Sequence, residues 1–458
     1  MGNTNSTGNI NVTKLRSAPI LSGVFMGAGQ LFILKQYIRG AFFSLVELIM
    51  LFFTIFEKGT FTPNFKGPVV MGLHNLITLG DEHPDLPIKL RDHSIFMMIT
   101  GLMTVIVVAI FICLYVYNVI DANKSSKEII RKGAFPTMLQ TRKEISQTAF
   151  PAFGIVPIVL LIAFFTVVPL LFSALVAFTN YSSPDHIPPN NTVDWVGFEN
   201  FRSMFHRTAD NAWYSAFART AVWTVVWAFF STFTCYFAGM FFAVVLQDKR
   251  ISIPKFYRAI FILPYAIPTM LTLFIWANLL NGTFGPINRT LMQLGILSKA
   301  IPWLSDPKVA KLSLILVNIW IGFPYSMILT TSSMTAISHS LYEAATIDGA
   351  NKWQQFKSIT LPLVLFQTKP LLIMQFAGNI NNFGAVFFLT GGGPALPDTI
   401  STQAGATDLL ISWIYKLTYN TPNMYNMASV LSILVFIVLV PFAVYQFTRT
   451  KSFKDGEI

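Results

Sequence analysis

Eight stretches of this chain are each apolar for long enough to cross a bilayer, and that property leaves few folds open. A hydrocarbon core about 30 Å thick needs roughly 17 to 25 apolar residues per helix. Such runs lie near residues 40–56, 95–120, 153–178, 220–246, 258–280, 311–333, 363–389 and 426–448. Inside hydrocarbon every backbone N–H and C=O must find its partner within the protein, so each run reads as a helix. The expected fold is all-α, a polytopic membrane protein of about eight transmembrane helices. Composition agrees: 53% of the 458 residues are hydrophobic and 12% charged, whereas soluble domains carry about a quarter charged residues.

Charge tests the order of the spans. Loops 1–40, 121–150, 247–258, 334–361 and 449–458 hold 19 Lys and Arg against 8 Asp and Glu, while the intervening loops 57–94, 179–219, 281–310 and 390–425 hold 11 against 12. By the positive-inside rule both termini and the 334–361 loop are expected on the cytoplasmic side of the cell membrane. The net charge of +11 sits in these short loops, so membrane lipid is an expected partner and nucleic acid is not.

Residues 18–34 are also fairly apolar, but Gly23, Gly27 and Gly29 break them and Lys35 ends them; they read as an interfacial or re-entrant segment. The expected organisation is an N-terminal part with two spans (1–120), a basic linker (121–150) bearing Lys124, Lys127, Arg131, Lys132, Arg142 and Lys143, a six-span core (151–448) with a loop at 338–362, and a tail (449–458). The linker reads as solvated and membrane-facing. Residues 1–6 formally fit a myristoylation pattern that a short polar tail meets by chance, and no charged, apolar, small-residue pattern opens the chain as a cleavable signal would.

No glycine-rich phosphate loop ending in Gly-Lys-Ser or Gly-Lys-Thr occurs, so any ATP hydrolysis belongs to another polypeptide. A gradient-driven transporter, the alternative from another class, usually carries carboxylates or histidines within its spans. Past the first residue of each run the charged residues are Glu47 and Lys369. Glu47 lies outside the six-span core and reads as structural; Lys369 is close enough to the interface to snorkel. Cys113 and Cys235 both fall inside apolar runs, with neither disulfide nor metal spacing. No catalytic, metal or cofactor site is expected, and the chain does not read as an enzyme.

The 334–361 loop and its border carry Glu343-Ala344-Ala345, then Gly349, then Ile359-Thr360-Leu361-Pro362. This reads as a helix start, a glycine that lets the backbone turn sharply and a proline opening the next helix. Leu341, Ala344, Ala345 and Asp348 fall at helical spacing, and residues 350–356 offer a second short helix, together a peg. The spacing resembles the EAA signature of the permease subunits of ATP-binding-cassette importers. That resemblance implies a type I importer core of six helices, and a peg in which Glu343, Ala344, Ala345, Gly349 and Pro362 engage a cytoplasmic ATPase dimer. Phe256-Tyr257-Arg258-Ala259 with Leu263-Pro264, Ile267-Pro268 and Trp276, and the run from Phe388 to Pro394, are similar to the same family.

Polar amides cluster in the seventh span, as Gln375, Asn379, Asn381 and Asn382, and Asn318 lies in the sixth with Gly322 and Tyr325. Asn379 and Asn382 are three apart and share a helical face, where amides can donate to and accept from hydroxyls. Neutral amides with aromatic rings suit a sugar, whereas phosphate or carboxylate calls for Arg or Lys. Amides also join membrane helices to one another, and for each of these residues both readings stand.

Residues 317–325, 379–383 and 407–410 resemble the maltose and maltodextrin permeases of the MalF type. The resemblance implies a sugar site at Ile321, Gly322, Tyr325, Asn379 and Asn382, a second MalG-like permease subunit, and an external solute-binding protein. Gly378 stands where a phenylalanine meets the sugar in the best-known relative, which removes a stacking surface and widens the pocket. Loop 180–219 lacks the large folded insertion of some relatives. Another neutral saccharide or a polyol is the alternative substrate.

Overall fold

The computed structural model describes residues 11–58, 65–206, 211–248 and 250–448; the expected tail 449–458 and the pattern at 1–6 lie outside these. Among the described residues seven helices are long and apolar enough to cross a membrane, or eight when a pair bent by 89° counts as one span. The chain forms two compact units, one within Met1–Trp195 and one within Val196–Ile458.

The first unit is built on α1 (Tyr37–Ile55), α2 (Pro68–Thr78), α3 (Ser94–Lys132), α4 (Met138–Ile162) and α5 (Val168–Val176). Helix α3 does not stop with its apolar run. It continues through Asp121 to Lys132 and ends where Gly133 takes φ +66°, a left-handed cap open to glycine. Two features hold this extension: Ala122 and Ile129 are buried with Leu15, and Glu128 pairs with Lys132 at 2.6 Å one turn on. Helix α4 then starts behind a capping box of Thr137 and Gln140. The expected linker is thus helical on both sides of a short turn.

Residues 18–34 form a short helix, Ala18–Ser22, and a π-turn, Gly29–Ile33, rather than a span. An interrupted backbone in an apolar setting needs side-chain partners. Buried Gln30 accepts from Ser22 Oγ at 2.6 Å and donates to Asn118 Oδ1 at 3.1 Å, while Asn118 Nδ2 donates to the Ser22 carbonyl at 2.9 Å. Glu47 Oε2 accepts the Met26 N–H at 2.9 Å. Glu47 is therefore an anchor for this segment.

The second unit contains α6 (Ala212–Val245), α7 (Pro254–Ala266), α8 (Thr269–Leu279), α9 (Pro307–Thr335), α10 (His339–Ile347), α11 (Lys352–Gln355), α12 (Leu361–Ile380), α13 (Phe383–Leu389), α14 (Leu410–Tyr419) and α15 (Tyr425–Thr448). Its central contact is α6 against α9. Helix α6 buries a stripe of mostly small residues, including Ala228, Thr232, Cys235, Gly239 and Ala243, the composition that lets helix backbones approach closely in a membrane. At Gly239 the approach is tightest: an added Cβ would lie 2.5 Å from the Met327 nitrogen. Helix α12 joins the same surface, with Tyr236 Oη and Thr368 Oγ1 2.7 Å apart. Helices α7 and α8 meet at the 89° bend through Ile267 and Pro268, where proline removes an N–H that a continuous helix would need.

Gly239→Leu should push α6 away from α9 at a cost of about 1–3 kcal/mol. A melting point of the detergent-solubilised protein equal to wild type would refute that close contact.

Candidate functional site

The second unit encloses a cavity of about 340 Å³ where two of its spans are broken. One break is the α7–α8 bend; the other separates α12 from α13 at Asn381 and Asn382. Broken helices near a substrate site are a recurrent membrane solution, because irregular backbone is tolerated where it lines a cavity. The walls are Thr269, Met270 and Leu273 of α8, Leu314, Asn318 and Ile321 of α9, and Asn382, Gly384, Ala385, Phe388 and Leu389 from the second break onward. None of these side chains is charged. Beneath them Trp223, Trp227, Val317 and Leu409 are buried with Leu273, Leu314 and Leu389 in one apolar cluster.

The second break is held by amides. The carbonyls of Gly378 and Asn379 accept the N–H groups of Asn381 and Asn382 at 3.1 and 3.2 Å. Asn382 Oδ1 accepts the Ala385 N–H at 3.3 Å and caps α13, satisfying one of the donors that a helix start leaves open. With its oxygen so used, the Asn382 Nδ2 donates to no protein group among the described residues. Asn318 has the converse arrangement, its Nδ2 lying 3.4 Å from Cys235 Sγ. Its Oδ1 is then the end left for the cavity, so donor and acceptor are both on offer.

Of the five residues expected to meet a sugar, Ile321 and Asn382 line this cavity. Gly322 instead faces α6, where an added Cβ would lie 2.8 Å from Cys235 Sγ. Asn379 donates from Nδ2 to Thr232 Oγ1 of α6 at 2.9 Å. Tyr325 is exposed, its ring 6.1 Å from that of Tyr265. An added Cβ on Gly378 would meet nothing within 4 Å. The contribution of α8 had no sequence signal of its own, since Thr269, Met270 and Leu273 read as ordinary residues of an apolar run. Thr232 and Cys235 could have been noticed as small polar residues at helical spacing in a helix otherwise rich in Phe and Trp.

The EAA segment folds as an elbow between α9 and α12. Helix α10 ends at Ile347 and Gly349 turns the chain at φ +79°. Helix α11 follows with Asn351 and Gln354 as a capping box, passes through a π-turn at Phe356–Thr360, and runs into α12 with Pro362 in its first turn. The wide π-turn precedes the position where proline withholds its N–H. Tyr342 Oη lies 2.9 Å from Thr360 Oγ1, and Gln355 Nε2 donates to Thr346 Oγ1 at 2.9 Å and to the Ala350 carbonyl at 3.2 Å. Outside this brace, Ile347 is 87% and Trp353 68% exposed. Ala344 is exposed, Ala345 half-buried, and the exposed Glu343 pairs with His339 at 3.3 Å.

The glycine-rich run after α13 folds back on the start of α14. Asp408 is buried and its carboxylate meets Lys416 Nζ at 2.7 Å, the Gly405 N–H at 2.7 Å and Ser412 Oγ at 2.8 Å. Burial pushes its carboxyl above the usual range, opposed by the Lys416 charge and these hydrogen bonds. Gly392 takes φ +79° against this carboxylate, with no room for a Cβ.

Long apolar helices, two breaks around a neutral cavity and a braced elbow define a membrane transport subunit. Residues 235–451 match the family described as binding-protein-dependent transport system inner membrane component. The chain belongs to that family, the permeases of ATP-binding-cassette importers; it is a channel component and not itself an enzyme. It is 36% identical over 441 residues to the galactooligosaccharides transport system permease protein GanP of Bacillus subtilis, covering 96% of this chain and 99% of the relative. It is 34% identical over 459 residues to the maltodextrin transport system permease protein MalC of Streptococcus pneumoniae, covering 98% and 99%. Among solved structures, a bacterial alginate ABC transporter in complex with an alginate pentasaccharide-bound periplasmic protein shares the fold, with TM-score 0.52 and 19% identity over 67% of this chain and 96% of that one.

Lys416→Met should leave Asp408 buried without its counter-charge and cost about 3–5 kcal/mol. Asp408→Asn in the same background should recover part of the loss in thermal unfolding, and no recovery would mean the pair is not what holds the fold-back.

Proposed function

We propose that this permease passes a neutral oligosaccharide of the maltose and maltodextrin type across the cytoplasmic membrane, as half of a pathway completed by a second, similar permease. The observation that carries the reading is the cavity at the two helix breaks. Its polar groups are neutral amides and a hydroxyl, beside Ile321 and Phe388. Hydroxyl-rich ligands are met by such groups, with an apolar or aromatic surface for the sugar face. The maltodextrin permease of Streptococcus pneumoniae supports this substrate class. The Bacillus subtilis relative, which is named for galactooligosaccharides and is slightly more identical, favours that class as a second reading. The open space beside Gly378 suits either chain of hexoses.

ATP would be spent by a separate pair of ATPase subunits that grip the elbow. Exposed Leu341, Ile347 and Trp353 beside Glu343 give such a partner an apolar and charged surface. The excess of Lys and Arg in alternate loops supports placing elbow and termini on the cytoplasmic side. On the other side a solute-binding protein would deliver the sugar. Movement of the elbow would then be movement of α9, which carries Asn318 and Ile321, and of α12, which carries Asn379 and leads into the break at Asn382.

The test is uptake by the reconstituted complex, measured with maltose, maltotriose and galactobiose. At least one is expected to enter in an ATP-dependent way, and uptake that persists without ATP would end the proposal. Asn379→Ala should lower uptake about tenfold, the scale of one well-placed hydrogen bond, with the assembled complex still recoverable. Gly349→Val forces a branched side chain into a left-handed turn at roughly 1–2 kcal/mol. It should leave ATP hydrolysis disconnected from uptake in a protein that still inserts; normal coupled uptake would argue against docking at the elbow.

A further inference from the structure

We infer that Thr232 on α6 is a positioning residue that decides which end of the Asn379 amide faces the ligand. The inference rests on Asn379 being a sugar contact and adds the residue that sets its polarity.

An asparagine amide offers a carbonyl acceptor at one end and N–H donors at the other, and rotation about its last torsion exchanges them. Asn379 sits in the last turn of α12, just before the break, and its backbone carbonyl is already spent on the Asn382 N–H at 3.2 Å. Its side chain is fixed from outside its own helix: Nδ2 donates to Thr232 Oγ1 at 2.9 Å, and Thr232 is 1% exposed. Thr224, Thr330 and Thr368 each turn the hydroxyl back to the carbonyl four residues earlier at 2.7 Å. Thr232 Oγ1, in contrast, accepts a hydrogen bond from a neighbouring helix.

With its nitrogen held by α6, half-buried Asn379 has no protein donor to its Oδ1 among the described residues, which leaves that oxygen for a ligand. It therefore accepts from a donor, and a sugar hydroxyl is such a donor. Cys235, one turn further along the same face of α6, meets Asn318 in a similar way, with Asn318 Nδ2 3.4 Å from its sulfur. A single stripe of α6 thus orients amides on two helices. Replacing the Thr232 hydroxyl by a methyl of the same shape removes the acceptor and leaves the packing. Asn379 is then free to turn, and its nitrogen and oxygen compete for the ligand side.

The experiment is initial-rate uptake by the complete transporter in proteoliposomes, with maltotriose and galactobiose as probes and with wild type, Thr232→Val, Thr232→Ser, Asn379→Ala and the Thr232→Val/Asn379→Ala double variant. Thr232→Val should raise KM about tenfold with a much smaller change in Vmax. Thr232→Ser, which keeps the acceptor, should restore KM. In the Asn379→Ala background Thr232→Val should add nothing, because the group it orients is gone. A purely structural role would lower Vmax or protein yield and would persist in the double variant, and either result overturns the inference. If Asn379→Ala impairs uptake while Thr232→Val leaves KM alone, positioning by Thr232 fails and the sugar site stands. If Asn379→Ala has no effect, the site reading fails and this inference with it.

Discussion

Backbone hydrogen bonding without water governs this structure. In hydrocarbon a continuous helix satisfies itself, so each interruption must be supplied with partners from side chains. The chain meets that demand at two places with polar side chains, most of them amides. Gln30, Asn118 and Glu47 hold the interrupted segment of the first unit, and Asn382 caps the restart of a broken span in the second. Among the described residues the second interruption borders a cavity, and the Asn382 Nδ2 there meets no protein acceptor. The amides expected to bind a sugar thus also hold the protein together, Asn379 through its nitrogen and Asn382 through its oxygen.

Close packing of α6 on α9 makes this arrangement specific. Gly239 and the small stripe around it bring the helices near enough for Thr232 and Cys235 to reach amides on α12 and α9. Helices α9 and α12 also flank the elbow, so one continuous stretch of chain runs from the cavity wall at Leu314, Asn318 and Ile321 through the elbow to the second break at Asn381 and Asn382.

Much of the fold was legible because span length and loop charge are simple signals. Every expected apolar run contains a helix, and the glycines at 23, 27 and 29 fall where the expected non-spanning segment turns. The extension of α3 to Lys132 was hidden: charged residues there suggested a solvated linker, and the burial of Ala122 and Ile129 against Leu15 depends on residues a hundred positions away. In the site, Gly349 and Pro362 could be read from backbone chemistry alone, which is local. Helical spacing found the amides but not what each would face. Asn382 and Ile321 meet the cavity, whereas Gly322 and the Nδ2 end of Asn379 turn toward α6, a choice made by the crossing of α6, α9 and α12 that no single segment encodes.

The braces inside the elbow carry a mechanical consequence. Tyr342 tied to Thr360, and Gln355 tied to Thr346 and Ala350, join its two arms across the Gly349 bend. A load applied to Ile347 or Trp353 would meet a stiff lever rather than a compliant strap. Little of the work would be lost in flexing the corner, and the displacement would arrive at α9 and α12 together.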